Sequence, residues 1–349
     1  MTHKFGMTHE LQGGTMNRRS FLETMAVAGA VAGVAQEGMS QAQLEGGPSG
    51  KWPSWPFEEI RIPYRERAGK IAWPNGGPLC VHVYVTAEWN ANRPLADAKA
   101  RYKRDLSLES EQDQYTFTVG IWRAVKLLDQ FDIKASIFPS SGMLEAYGDL
   151  FRELQSKGHE IVARSFDQGV PPPDLTPDAE RSDIQRATRL VEQVTGRKPV
   201  GWISPGAKCS DKTPEYLADA GYKWFGDLKG DDLPYGIRTG NGKKIVVIPH
   251  RSMTSNDYAI FPEVSSLKGF RSGRDAVEFI KDLFDSYYAL GQEEYPGALV
   301  YGIHPMRSCI PDRIGVHKRA LEYMKNFQDV WWARYVDMAD HWMANYMDV

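Results

Sequence analysis

Cysteine is scarce in this chain, with only Cys80, Cys209 and Cys309 among 349 residues. Three thiols exclude a disulfide framework, and no Cys-x-x-Cys or His-Glu-x-x-His spacing offers a redox or zinc signature. A single bridge between Cys209 and Cys309 and two unpaired thiols are both compatible with the sequence. Charge of one sign is lacking as well. Lys and Arg number 42 against 45 Asp and Glu, a net charge of -3, so no basic surface calls for nucleic acid or an anionic membrane. A small-molecule or glycan substrate suits this balance better, and the oligomeric state is left open, a homo-oligomer included. No apolar run reaches the roughly 20 residues that a spanning helix needs, so no stable membrane insertion is expected after export.

The N-terminal region does carry information. Asn17-Arg18-Arg19-Ser20-Phe21-Leu22 precedes an Ala-, Gly- and Val-rich run from Met25 to Ala35, the order of a twin-arginine export signal. A periplasmic or secreted protein is expected, with a mature start between Ala35 and Gly50; a basic N-terminal helix of a cytoplasmic protein is the alternative. Residues 1–45 are read as signal and leader, 46–78 as an irregular arm, and 79–349 as a single catalytic barrel. Trp52, Trp55 and Trp73 lie among prolines in the arm, where they can anchor it to the barrel wall or line a sugar cleft.

From Leu79 onward, strand and helix patterns alternate. Strands are expected over 79–86, 134–138, 160–163, 200–203, 223–226, 244–249, 298–303 and 330–333. Helices are expected over 120–131, 143–157, 178–195, 213–220, 273–290, 316–327 and 335–346, with Gly196 and Gly221 as stops. Such alternation indicates an α/β fold with a largely parallel sheet whose function lies at the carboxyl ends of the strands. The polar residues there are Glu88 with Trp89, Arg164 with Asp167 and Gln168, Ser204, Asp231 with Asp232, His250 with Asn256 and Asp257, and His304 with Arg307. The charged stretch from Asn90 to Gln114 breaks the alternation and reads as an insertion able to cover the barrel mouth.

Several segments in register resemble the polysaccharide deacetylase superfamily, and within it the allantoinase-like and cyclic imide hydrolase branch. They are Trp73-Pro74-Asn75-Gly76-Gly77, Gly120-Ile121-Trp122-Arg123, Gly158-His159-Glu160-Ile161, the run from Thr195 to Trp202, Asp231-Asp232-Leu233-Pro234-Tyr235, Val247-Ile248-Pro249 with Asn256-Asp257, and His304-Pro305 with Ile310-Pro311-Asp312-Arg313. The resemblance implies that family's distorted (β/α) barrel. It also exposes departures. Where the metal-dependent members end their first strand in Thr-Phe-Asp-Asp-Gly, this chain has Thr86-Ala87-Glu88-Trp89-Asn90, keeping a carboxylate at the base position and placing tryptophan at the metal position. Where they have Ser-His-x-x-x-His, it has Ala163-Arg164-Ser165-Phe166-Asp167-Gln168. The family's third-motif arginine is Ile203.

A guanidinium has no lone pair to give a metal. The resemblance therefore implies a hydrolase of non-peptide C–N bonds that uses no cofactor, with Glu88 as general base, His304 as general acid, and Arg164 taking over carbonyl polarisation. Trp89, Gln168, Asp167, Ser204, Asp232, His250 and Arg307 are the candidate substrate-binding residues. The alternatives are a zinc-dependent N-acetyl-sugar deacetylase, with a metal site rebuilt from Asp167, His159 and His250, and a non-catalytic binder whose Glu88–Arg164 pair closes a dead site. A Cys309/His304 nucleophilic pair is a further, less economical option.

Overall fold

The computed structural model describes residues 57–89, 113–250, 257–261, 270 and 272–348. The twin-arginine segment, Trp52, Trp55, Asn256 and most of the stretch read as an insertion lie outside the described residues.

The β-branched run Leu-Cys-Val-His-Val-Tyr-Val-Thr-Ala forms strand β2 (Leu79–Ala87), buried at every position. A short strand β1 (Glu58–Ile60) precedes it. There follow β3 (Ser136–Pro139), β4 (Glu160–Ile161), β5 (Gly201–Trp202), β6 (Trp224–Phe225), β7 (Tyr235–Arg238), β8 (Lys244–Val247), β9 (Gly297–Ile303) and β10 (Val330–Ala333). One edge of β2 pairs in parallel with β9 along 79–85. Its other edge is shared: β10 takes residues 79–82 and β3 takes 84–87, both parallel. From β3 the order runs to β4, across a parallel bridge between Ala163 and Trp202, then through β5, β6 and β8. The result is the α/β fold that the alternation implied, with helices between successive strands. Hydrogen bonds among the described residues do not close the strands into a full ring.

Two elements differ from the sequence reading. The sheet ends antiparallel, β8 pairing with β7 and β7 with β1, so part of the arm read as irregular joins the sheet. Three or four residues containing Gly236 or paired glutamates carry too little apolar period to announce a strand. The helix expected over 143–157 is two, Gly142–Ala146 and Gly148–Ser156. It breaks at Tyr147, whose φ of -127° is non-helical, where the ring stacks on Phe117 with centroids 4.6 Å apart. Gly196 and Gly221 do end their helices, with φ of 72° and 84°. Trp73 of the arm is 2% exposed and packs against Trp331 and Trp342, its indole donating to the Gly297 carbonyl at 2.8 Å. Within the described part, the arm's tryptophan is an anchor.

A buried polar cluster lies at the amino end of β4. The Glu160 carboxylate accepts from Ser136 Oγ at 2.5 Å, Val336 N at 3.1 Å and Trp224 Nε1 at 3.2 Å. Burial pushes its pKa up from 4.5 to about 7, with these hydrogen bonds only partly offsetting the cost. A carboxyl that holds its proton more tightly folded than unfolded contributes stability below pH 4.5, and that contribution is lost as pH rises through 7. Glu160→Gln is therefore expected to remove roughly 3 kcal/mol of pH dependence between those limits. Urea unfolding of both proteins at pH 4.5 and 8 measures the difference, and equal pH slopes would refute the assignment.

Candidate functional site

Alternating side chains along β2 put Tyr84, Thr86 and, just past its end, Glu88 on one side. The turn that carries Glu88 is clipped at its backbone. Trp89 N donates to Ser140 Oγ at 2.9 Å, and Trp89 O accepts from Gln168 N at 3.0 Å and Ser140 Oγ at 3.2 Å. Trp89 then packs edge-on against Phe166, centroids 6.3 Å apart. The Glu88 carboxylate oxygen Oε1 lies 3.0 Å from Arg164 Nη1 and 3.2 Å from Gln168 Nε2. Both side chains of the ion pair are removed from water, 4% exposed for Arg164 and 12% for Glu88. The backbone of Arg164 is fixed by Ser141 Oγ, which donates to its carbonyl at 2.5 Å.

His304 follows β9. Since Val85 of β2 faces Ile303 in register, Glu88 and His304 emerge from the same end of adjacent strands. Asp257, at the start of the short helix Asp257–Ile260, reaches back to His304. One oxygen accepts from the His304 backbone N–H at 2.5 Å, and the other lies 2.5 Å from Nδ1. Ser308 Oγ donates to Asp257 as well. Burial favours the neutral acid, but the His304 charge and hydrogen bond outweigh it and hold the Asp257 carboxyl below its usual range. An ionised Asp257 can only accept, so Nδ1 of His304 carries a hydrogen and proton exchange is left to Nε2. The Tyr84 ring meets His304 edge-on at 5.8 Å and His250 at 4.7 Å, and stacks on Phe138 at 5.0 Å. It fits only because its neighbour on β9 is Gly302, where a Cβ would stand 2.3 Å from the Tyr84 ring.

The remaining sequence candidates divide. His250 is buried beside this group, with Nδ1 3.0 Å from Tyr335 Oη. Burial and the charges of Arg164 and His304 hold its pKa well below the ordinary value, so it is a neutral imidazole. Ser204 N and Oγ each donate to Asp227 at 2.7 Å, and Ser204 Oγ accepts from Trp202 Nε1 at 2.8 Å. Burial pushes Asp227 up to about 6, against the pull of Ser204 and of the Arg164 charge. Asp167 Oδ1 accepts from Gly169 N at 2.7 Å in a turn, and Arg307 donates to the Phe261 carbonyl at 2.9 Å. Asp232 is exposed and lines a small, partly open cleft of about 10 Å³ with His82, Ile248 and Val300, a lining that does not include Glu88. Its neighbour Asp231 accepts from Arg61 and Arg67 of the arm, at 2.7 and 2.6 Å. All three cysteines are free, and burial raises the Cys309 thiol far above its usual pKa, against a thiolate nucleophile.

The donor set around Glu88 does not fit a divalent ion. Its carboxylate already faces a guanidinium, the indole beside it offers no lone pair, and among the described residues no three His, Cys, Asp or Glu side chains gather as ligands.

Comparison with known proteins agrees with this architecture. The polysaccharide deacetylase family profile matches residues 113–225. The peptidoglycan deacetylase of Helicobacter pylori is 23% identical over 254 residues, covering 64% of this chain and 84% of that protein. The crystal structure of Puue allantoinase superposes with a TM-score of 0.68 at 27% identity, over 78% of this chain and 93% of that one. The chain carries a polysaccharide deacetylase domain. A probable polysaccharide deacetylase from Pseudomonas aeruginosa has the same fold, with a TM-score of 0.68 at 23% identity over 78% and 94% of the two chains.

In this deacetylase domain, the stretch matched by the profile holds Arg164, Gln168 and Ser204, while Glu88 and His304 flank it. Sequence reasoning passed over Asp227, although it stands one residue past the strand expected at 223–226 and the strand-end rule reaches it. Asp257 was among the polar residues at the strand ends, but nothing local links it to a histidine 47 positions away. The Glu88–Arg164 pair can be tested without any substrate. Arg164→Met leaves a carboxylate uncompensated and is expected to destabilise by roughly 3 kcal/mol, much of it recovered when Glu88→Gln is added. A urea-unfolding double-mutant cycle with additive effects would show the pair to be energetically uncoupled.

Proposed function

We propose that the protein is an exported hydrolase of a non-peptide C–N bond, in a cyclic amide, imide or related N-acyl substrate, working without a resident metal. The observation that carries this reading is that two prepared groups follow the same ends of adjacent strands: Glu88 against Arg164 at 3.0 Å, and His304 against Asp257 at 2.5 Å. The family supports hydrolysis of an N-acyl bond, and the likeness to an allantoinase structure supports a ring substrate.

A water between the two groups gives its proton to Glu88 as its oxygen adds to the substrate carbonyl carbon. The carbonyl oxygen gains negative charge, and the Arg164 guanidinium stabilises it in a site largely closed to water. As the tetrahedral carbon collapses and the C–N bond breaks, His304 in its imidazolium form donates the Nε2 proton to the leaving nitrogen. Asp257 keeps the ring oriented and balances its charge. Proton transfer from Glu88 to His304, directly or through solvent, restores the start.

Peptidoglycan deacetylation is the second reading, supported by the Helicobacter pylori relative. The decisive experiment dialyses the mature protein against a chelator and assays it with hydantoins, cyclic imides and N-acetylated sugars. Turnover of a cyclic substrate is expected to persist after chelation and to fall by roughly a hundredfold or more in Glu88→Gln. Stoichiometric zinc, with activity lost on its removal, would support the metal-dependent alternative. The export component rests on Arg18 and Arg19. Replacing both with lysine is expected to leave the protein in the cytoplasmic fraction, and unchanged periplasmic recovery would overturn it.

A further inference from the structure

At the opposite end of the parallel strands from Glu88, an open cleft of about 340 Å³ lies where the chain enters β4, β5 and β6. Four cationic side chains line it: Arg197 and Lys198 ahead of β5, Lys223 ahead of β6, and Arg334 after β10. Two of them are held by the helix Tyr335–Tyr346, Lys223 by Asp340 at 2.7 Å and Arg334 by Asp337 at 2.6 Å. Arg334 also donates to the Gly158 carbonyl at 3.2 Å. Arg197 and Lys198 are exposed and have no carboxylate partner among the described residues. The one acid in the lining is Glu160, which burial keeps protonated below about pH 7 and whose oxygens are already hydrogen-bonded to Ser136, Trp224 and Val336. Two positive charges are therefore left without a counter-charge in a concave place. Ile161, Val191 and Val336 give the same cleft an apolar wall, and its volume is that of a small-molecule site, larger than an inorganic ion needs.

We infer that this cleft binds a small organic anion, a carboxylate or phosphate ester on an apolar body, with Arg197 and Lys198 pairing with the charged group and the Ile161, Val191 and Val336 wall taking the body. Both anions satisfy this pair of cations, since a guanidinium forks two oxygens and an ammonium acts as a point charge beside them. The positions of Lys223 and Arg334 are set in advance by their own carboxylates, so the cationic rim exists before any ligand arrives. Because the cleft lies at the far ends of the strands from Glu88 and His304, its ligand is not the molecule being hydrolysed. The site and the proposed hydrolysis stand or fall separately.

Calorimetry and thermal shift at pH 6.5 and low salt test the site, with phenyl phosphate, benzoate and uncharged benzamide as probes. At least one anion is expected to bind and raise the unfolding temperature, and benzamide to do neither. Arg197→Gln combined with Lys198→Gln is expected to weaken anion binding roughly tenfold or more, because charge-assisted contacts are stronger than neutral ones. Lys281→Gln, on the helix Gly273–Glu293, is expected to leave it unchanged. Both residues of the double variant are exposed, so its unliganded unfolding temperature is expected to match the wild type. Binding of phenyl phosphate alone assigns a phosphate ester, binding of benzoate alone a carboxylate, and binding of both the charge they share. No binding of either anion, equal binding of benzamide, or anion binding that survives the double substitution overturns the inference; an anion held at Arg164 instead would give that last result.

Discussion

Strand β2 gives up both edges and both faces to the rest of the chain, and the site at the carboxyl end of the sheet inherits its position. A nine-residue strand buried throughout must find hydrogen-bond partners along its whole length. It finds three: β9 along one edge, with β10 and β3 dividing the other. That sharing sets the register that brings the ends of β2 and β9 level, with Glu88 following one and His304 the other, and Tyr84 meets His304 edge-on.

In the proposed mechanism the electrostatic problem at the site is met by a fixed organic cation, the Arg164 guanidinium. A divalent ion would bring two charges and an open coordination position; a guanidinium brings one charge, planar donors and no capacity to bind water as a ligand. In the proposed mechanism water activation falls to Glu88, and proton delivery to His304, whose ring is held by the buried Asp257 carboxylate. Asp227 adds a second acidic group within reach of the Arg164 field, protonated near pH 6.

How far the sequence foretold this depended on locality. β2 and β9 were legible as continuous β-branched and aromatic runs, and Glu88, Arg164 and Gln168 stood out because strand ends are few and polar residues there are countable. β1 and β7 were not legible, since their pairing comes from tertiary contact and their residues have little period of their own. Nor was the bond from Asp257 to His304, which the fold makes across a long sequence separation. The cleft that gathers Arg197, Lys198, Lys223 and Arg334 was not legible either, because those residues stand in three separate segments and meet only in the fold.

The antiparallel end of the sheet bears on solubility. β7 would present an open row of backbone donors and acceptors to any passing strand, and β1 occupies it. β1 is itself only three residues long, and Glu58 and Glu59 pair with Arg238 and Arg61 along it. A short charged rim of this kind discourages edge-to-edge association. Trimming that removed Glu58–Ile60 would leave that row of β7 backbone groups without its partner strand.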